Sequence, residues 1–228
     1  MRKLLLACGF AAALLYIGMI MLIRYEGYNV ISQVPSELTA IGAPTRELWA
    51  WLGWVYTTLM LAFGWGVWKS AEANRPLRIV GVLLLVSGLF GFLWPFAPMH
   101  QREVLAAGEG TFGDTLHRIL GIGTVLLFVL TVGFGSAAFG VRFRLHSIAT
   151  MVLAFGFGML TGIESPRLAA NLPTPYIGLW ERLSIVVYMV WLMALAITLL
   201  RREGMGSEWR QNIRRRSPPV SPSAAVTT

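Results

Sequence analysis

The chain has 228 residues, of which 56% are hydrophobic and only 13% are charged, and its formal net charge is +8. A soluble domain carries about a quarter charged residues, so this composition excludes an ordinary soluble globular protein. The apolar residues fall into runs of about twenty, which is the length that a helix needs to cross the hydrocarbon core of a bilayer. The sequence therefore predicts an all-α polytopic membrane protein that forms one bundle.

The apolar runs predict a six-helix transmembrane bundle over residues 1–203. The predicted spans are 4–23, 48–68, 77–96, 115–139, 145–163 and 178–200. Cys8 is the single cysteine, which excludes an intrachain disulfide. The apolar stretch before Cys8 is too short for the core of a signal peptide, so we interpret the first run as a retained helix rather than a lipoprotein leader.

The distribution of basic residues predicts the orientation of the bundle. Six spans put both termini on one side, and most arginines and lysines fall on that side, including Arg142, Arg144 and the basic stretch 201–216. The positive-inside rule then places both termini in the cytoplasm. Residues 204–228 form a basic cytoplasmic tail, for which we predict disorder after about Arg216. Membrane lipids are the expected partners, and nucleic acid is not, because no basic domain lies outside the bundle.

Tryptophans lie near both predicted membrane edges. Trp49 and Trp54 fall near the outer edge of the second span, and Trp94 falls near that of the third. We interpret them as the aromatic belt of a membrane protein, which needs no ligand to explain it. Small residues predict the packing faces, above all the G-x-x-x-G pair of Gly158 and Gly162 in the fifth span.

The first connection on the predicted outer face, residues 24–47, is too long for a tight turn and carries Ser36 and Glu37. Pro35 predicts the start of a short helix, and Thr45 predicts the N-cap of the second span. We expect this connection to fold back as a lid over the bundle.

A second polar group surrounds the start of the fourth span. Asp114 precedes His117 by three residues and Arg118 by four, so these side chains share one helix face. Loop closure can bring His100 to Asp114 and His117, and the sequence does not decide whether it does. Two interpretations stay open, since the group either caps and anchors a helix end or holds a ligand. Two histidines and a carboxylate suit zinc, although no close ligand spacing such as H-E-x-x-H occurs.

The third connection leads into the sixth span through Pro173 and Pro175, which stiffen the chain. Glu181 and Arg182 follow at the start of that span. Charges at this depth are directed to protein interior or to water, so we interpret them either as paired or snorkelling side chains or as part of a ligand site.

Five segments of the chain resemble the bacterial membrane proteins grouped as domain of unknown function 998: "ISQVPSELTAIGAPTRELW", "PMHQRE", "DTLHRILG", "VRFRLHSIAT" and "NLPTPYIGLWER". The resemblance covers nearly the whole chain from the first span to the sixth. It implies a six- or seven-span protein of the bacterial cytoplasmic (inner) membrane and no established reaction, substrate or cofactor. By position it singles out, without roles, Ser36, Glu37, His100, Asp114, His117, Glu181 and Arg182.

Three functions remain open from the sequence, which does not decide whether the protein is an enzyme. The favoured function is binding of a lipid or small apolar molecule at the outer face without a cofactor. The candidate ligand-binding residues are Ser36, Glu37, His100, Asp114, His117, Arg118, Glu181 and Arg182. The alternative is a membrane hydrolase whose divalent metal, such as zinc, is bound by His100, Asp114 and His117. A small-molecule transporter ranks third, because the charges lie at the membrane edges.

Overall fold

The structure, a computed structural model, describes residues 1–170 and 172–216, and for residues 169 and 205–216 it describes the backbone alone. The described residues form seven α-helices and two short 3₁₀ turns, with no strand among them. The predicted all-α fold is confirmed. The helices are α1 Arg2–Leu22, α2 Arg46–Ser70, α3 Arg75–Gly91, α4 Arg102–Ala106, α5 Phe112–Ala138, α6 Val141–Ala169 and α7 Ile177–Arg216.

Five of the described helices, α1, α3, α5, α6 and α7, are long and apolar enough to cross a membrane. The chain is therefore a helical membrane protein by the length and composition of its helices. The helix α2 has 25 residues, but its many tryptophan, glycine and threonine residues lower its hydropathy, and it is not one of the five. A membrane crossing by α2, which contains the predicted span 48–68, stays a prediction.

Most helix ends lie within a few residues of the predicted spans, and three differ by more. Helix α6 continues to Ala169, past the predicted end of the fifth span at residue 163. Helix α3 ends at Gly91, and the 3₁₀ turn Trp94–Phe96 follows, because Pro95 lacks the N–H that a continuing helix needs. Helix α7 continues to Arg216, past the predicted end of the sixth span and into the predicted tail. The disorder predicted beyond Arg216 falls on residues outside the described part of the chain.

The six long helices form a closed ring. Each packs most extensively against its neighbours in the order α1, α2, α3, α5, α6, α7 and back to α1. Phe63, Leu84, Trp191 and Leu195 are buried in the core that fills the ring. The indole N–H of Trp191 donates to the Ser147 hydroxyl at 2.9 Å, so the largest buried side chain has its one polar atom satisfied.

The two ends of the ring carry different parts of the chain. At one end, here called the terminal end, Nε of Arg2 lies 2.9 Å from a carboxylate oxygen of Glu203. The candidate membrane span of α7 is Ile177–Gly204. The Arg2–Glu203 pair therefore places the start of α1 beside the end of that span. The opposite end, here called the loop end, carries the connections from α1 to α2, from α3 to α5 and from α6 to α7.

The predicted packing role of the G-x-x-x-G pair is wrong. A Cβ atom at Gly158 or Gly162 would meet nothing within 4 Å, because both glycines lie on an exposed face of α6. The closest helix approach lies between α2 and α3 instead. A Cβ atom at Gly81 of α3 would lie 2.6 Å from the backbone nitrogen of Trp68 in α2. Only glycine permits the two backbones to lie so close.

Candidate functional site

Arg182 of α7 holds the first connection against the ring. Its side chain is 1% exposed. Nε donates to the carbonyl of Ile20 at 2.8 Å, and Nη1 donates to the carbonyls of Val30 at 2.6 Å and Gln33 at 2.8 Å. Nη2 donates to the hydroxyl of Tyr28. The buried charge is therefore matched by carbonyl dipoles, and it satisfies backbone groups that the end of α1 and the lid would otherwise leave unpaired.

Tyr28 completes this attachment of the lid. Its hydroxyl donates to the carbonyl of Val34 at 3.0 Å, and its ring lies 5.6 Å from the guanidinium carbon of Arg182. Burial raises the pKa of Tyr28 to about 12, against the opposing effect of the Arg182 guanidinium. The phenol therefore stays protonated near neutral pH and can accept from Arg182 while it donates to the backbone.

Glu37 of the lid is 1% exposed and forms a bidentate ion pair with Arg102 of α4. Nε of Arg102 lies 2.9 Å from Oε2 of Glu37, and Nη2 lies 2.6 Å from Oε1. The carboxylate also accepts from Nε2 of Gln33 at 2.8 Å and from the backbone N–H of Val34 at 3.1 Å. Glu37 raises the pKa of Arg102. Because its two oxygens already accept from four donors, the Glu37 carboxylate serves to hold the lid in place.

Asp114 joins the second connection to the start of α5. Oδ1 accepts from the backbone N–H of His100 at 2.7 Å, and Oδ2 lies 2.9 Å from Nδ1 of the same residue. Oδ2 also accepts from the backbone N–H of Thr111 at 2.7 Å, in a capping box at the start of the helix. His100 therefore lies against Asp114, and both oxygens of Asp114 serve helix capping and loop closure.

His117 points to a different partner. Its Nδ1 lies 2.9 Å from the carbonyl oxygen of Ala97, and its ring makes an edge-to-face contact with Trp94 at a centroid distance of 4.9 Å. Within the described residues, no group of three or more His, Cys, Asp and Glu side chains is arranged to hold a metal ion. The geometry of His100, Asp114 and His117 therefore gives no support to the zinc alternative.

The other predicted site residues do not join one cluster. Arg118 is exposed, and Ser36 is partly buried in the lid. Glu181 lies next to Arg182 in α7, but the hydrogen bonds of Arg182 go to backbone carbonyls and to Tyr28. Neither an Asp114–Arg118 nor a Glu181–Arg182 pair is among the ion pairs of the described residues. The polar residues predicted from sequence thus form separate structural networks around the lid.

An aromatic pocket of about 400 Å³ opens beside these networks, between α1, α2 and α3 at the loop end. Rings contact one another in its wall, with centroid distances of 4.7 Å from Tyr16 to Tyr56 and 6.4 Å from Tyr16 to Trp49. The two connections cover it through Thr39 and Pro98. None of the eight predicted site residues lines this pocket. The large side chains of its wall are Tyr16, Trp49, Trp54, Tyr56 and Trp94.

Two charged residues of the first turn of α2 belong to the pocket wall, Arg46 and Glu47. Glu47 is exposed, whereas Arg46 is partly buried. No ion pair or side-chain hydrogen bond joins either of them to another described residue. The Arg46 guanidinium is therefore available to an anionic group at the edge of the cavity, where the exposed Glu47 carboxylate is the other charged group.

Sequence reasoning missed the pocket because its tryptophans have an ordinary explanation as a membrane belt. The helix α2 nevertheless carries a signal. Ala50, Gly53 and Thr57 recur at helical spacing after Arg46, so small residues follow one face of a helix that is otherwise rich in tryptophan. All four line the pocket. A face of small residues between large aromatic side chains leaves a concavity wherever the neighbouring helices do not fill the space.

The ring of long apolar helices, with a covered aromatic pocket at one end, defines the class as a polytopic α-helical membrane protein. Residues 6–198 match the family model described as "Protein of unknown function (DUF998)", and the chain belongs to this family. The resemblance stated from the five sequence segments is thereby confirmed. No curated protein and no solved structure matches the chain.

Proposed function

We propose that the protein spans the membrane six times, with both termini in the cytoplasm, and binds a lipid or small apolar molecule in the aromatic pocket. The pocket is the observation that carries this proposal. Its volume of about 400 Å³ lies within the range of about 300–1,000 Å³ that is typical of small-molecule sites. Its aromatic wall and its single accessible guanidinium fit an apolar body that ends in an anionic group.

The six-span topology is supported by the position of α2 in the ring. This helix packs between α1 and α3, so it shares their environment, and its tryptophans are residues that membrane interfaces favour. The terminal end carries exposed arginines, including Arg75, Arg142 and Arg144. The positive-inside rule assigns such an end to the cytoplasm and the loop end to the opposite face.

The polar networks at the loop end have a supporting role in this proposal. Arg182 and Glu37 hold the lid, and the lid covers the pocket through Thr39. Asp114 holds the second connection, which covers the pocket through Pro98. Binding is favoured over hydrolysis because the oxygens of Glu37 and Asp114 already accept internal donors and are not placed to activate a water.

The proposal is tested by photolabelling of the purified chain in detergent with a fatty acid that carries a diazirine in its acyl chain. We expect labelled peptides from α2 and from the region of Trp94. Gly53→Phe adds a ring inside the pocket, where a Cβ atom meets nothing within 4 Å, and is expected to reduce this labelling about tenfold. Gly156→Phe is the matched control, because Gly156 lies on α6 with the same free space around it and outside the pocket.

A second arm of the experiment tests the head group. Arg46→Gln is expected to weaken labelling by the free acid more than labelling by its methyl ester, because only the acid can pair with the guanidinium. Equal labelling of Gly53→Phe and Gly156→Phe would contradict a ligand in the pocket. Labelling confined to outward residues such as Trp51 would contradict it too, since that pattern is contact with bulk lipid or detergent.

A further inference from the structure

A second pocket, of about 640 Å³, lies at the terminal end, where the turn between α5 and α6 meets α7. Three arginines contribute to its wall, Arg142 from α6 and Arg201 and Arg202 from α7. No acidic residue lines it among those whose side chains the structure describes. A concave surface with three positive charges and no carboxylate selects an anion by its charge.

The positive charge of this basic pocket is not neutralised within the described side chains. The guanidinium carbon of Arg202 lies 4.5 Å from the ring centre of Phe139, which positions the charge without cancelling it. Glu203, the acidic neighbour of Arg202, pairs with Arg2 instead, at 2.9 Å. None of the three pocket arginines has an ion pair or hydrogen bond to another residue whose side chain is described.

His146 adds an imidazole side chain to the wall of the basic pocket. Its Nε2 is the one buried side-chain nitrogen or oxygen atom without a hydrogen-bond partner among the described residues. The residue lines the basic pocket, one turn after Arg142. Because this nitrogen is closed off from solvent, the arginines are the side chains that can contact an anion in the open pocket.

The backbone at the start of α6 adds donors to the same place. Gly140 is the N-cap of α6, and no side chain caps the helix there. Gly140, Val141 and Arg142 line the basic pocket, so the uncapped start of a 29-residue helix faces the arginines of α7. Free N–H groups and the positive helix end favour an anion, and guanidinium groups bind phosphate oxygens in a bidentate manner.

We propose that the basic pocket binds a phosphate group, which Arg142, Arg201 and Arg202 hold through their guanidinium groups. The pocket lies where α7 reaches the end of its membrane span, so the head group of an anionic phospholipid is one source of the phosphate, and free phosphate is another. This site is at the opposite end of the ring from the aromatic pocket, and it does not depend on the ligand proposed there.

The test is native mass spectrometry of the full chain in detergent, titrated with phosphatidylglycerol and, separately, with phosphatidylcholine. We expect preferential binding of phosphatidylglycerol. The triple variant Arg142→Gln, Arg201→Gln, Arg202→Gln is expected to weaken that binding about tenfold or more. The matched control is Lys3→Gln, Arg75→Gln, Arg144→Gln, which removes the same charge from exposed positions of the terminal end that do not line the pocket. This control is expected to bind as the unchanged chain does.

A charge-conserving variant separates a built site from surface charge and also covers the case in which the triple variant does not fold. Arg142→Lys, Arg201→Lys, Arg202→Lys keeps every charge of the pocket and removes the planar guanidinium groups that bind phosphate oxygens in a bidentate manner, so we expect binding to weaken about threefold or more. Competition by millimolar inorganic phosphate identifies free phosphate as the source, and lipid binding that resists phosphate identifies the lipid head group. Equal losses in the pocket and control triple variants, or equal binding of both lipids, would overturn the proposal.

Discussion

Glu37 and Arg102 form a bidentate ion pair that joins the first connection to the second across 65 residues of sequence. The third connection takes part, because Nη1 of Arg102 donates to the hydroxyl of Thr174 at 3.1 Å. One guanidinium thus fastens all three connections of the loop end to one another. The three connections over the aromatic pocket are therefore held as one unit. We expect the loss of one of these contacts to weaken the others.

Disruption of this pair is expected to be costly and non-additive. Arg102→Gln leaves the buried Glu37 carboxylate without its cation and is expected to lower the free energy of unfolding by about 3 kcal/mol. Glu37→Gln with Arg102→Gln is expected to cost less than the sum of the single changes, by about 1–3 kcal/mol. The measurement is equilibrium unfolding in mixed micelles of sodium dodecyl sulfate, followed by tryptophan fluorescence. Arg24→Gln, at an exposed position, is the control, and simple additivity would contradict the coupling.

Arg182→Lys tests whether the geometry of the guanidinium matters beyond its charge. A lysine ammonium keeps the charge but has three donors on one atom, and it cannot reach the carbonyls of Ile20, Val30 and Gln33 together. We expect a loss of about 2–3 kcal/mol in the free energy of unfolding and faster amide hydrogen exchange in the lid. Arg118→Lys, at an exposed position on α5, should change neither. Unchanged exchange in Arg182→Lys would show that charge alone holds the lid.

Zinc is expected to have no specific effect on stability. A metal that binds the folded state raises its stability in proportion to the logarithm of metal concentration over the dissociation constant. Because His100 and His117 face different partners, we expect equal melting temperatures with zinc and with chelator, for the unchanged chain and for His117→Ala. If zinc raised the melting temperature of the unchanged chain but not that of His117→Ala, the result would support the metal-dependent hydrolase instead.

Gly81→Ala is expected to destabilise the contact between α2 and α3. The added Cβ atom would lie 2.6 Å from a backbone nitrogen of Trp68, so one helix must shift, at a cost of about 1–3 kcal/mol. Gly121→Ala is the matched control, since a Cβ atom there meets nothing within 4 Å and alanine is the better helix former. The free energies of unfolding of the two variants should differ in that direction. The reverse order would contradict the close approach of these helices.

Much of the fold could be read from the sequence because the rules that set it are local. A segment in lipid must satisfy its own backbone hydrogen bonds, so an apolar run of sufficient length has to be a helix. For this reason α1 and α5 lie close to the predicted spans. The lid also follows from local signals, since a 3₁₀ turn begins at Pro35, where the sequence predicts a short helix, and Thr45 stands at the N-cap of α2. The hydroxyl of Thr45, however, donates to the carbonyl of Leu38 at 2.7 Å rather than capping the helix.

The sequence did not determine which groups each polar side chain or glycine contacts. Glu181 is the nearest acidic residue to Arg182 in the sequence, but adjacent residues of a helix do not face each other. The folded lid places several carbonyls within reach of Arg182, and these need no second buried charge. The same limit applies to glycine. Gly158 and Gly81 look alike in sequence, yet only Gly81 packs tightly, because the rotation of each helix in the ring decides which face meets a neighbour.

The sequence by itself determined that this is a helical membrane protein with its polar connections gathered at one end, since hydropathy and helix capping act over a few residues. Tertiary structure alone decided that those polar residues fasten a lid, and that tryptophans of α2 and the second connection enclose a pocket. The tertiary structure also decided that arginines of α6 and α7 line a second pocket. Cavities arise where helices distant in sequence fail to fill the space between them, and that space is set by the packing of the whole ring.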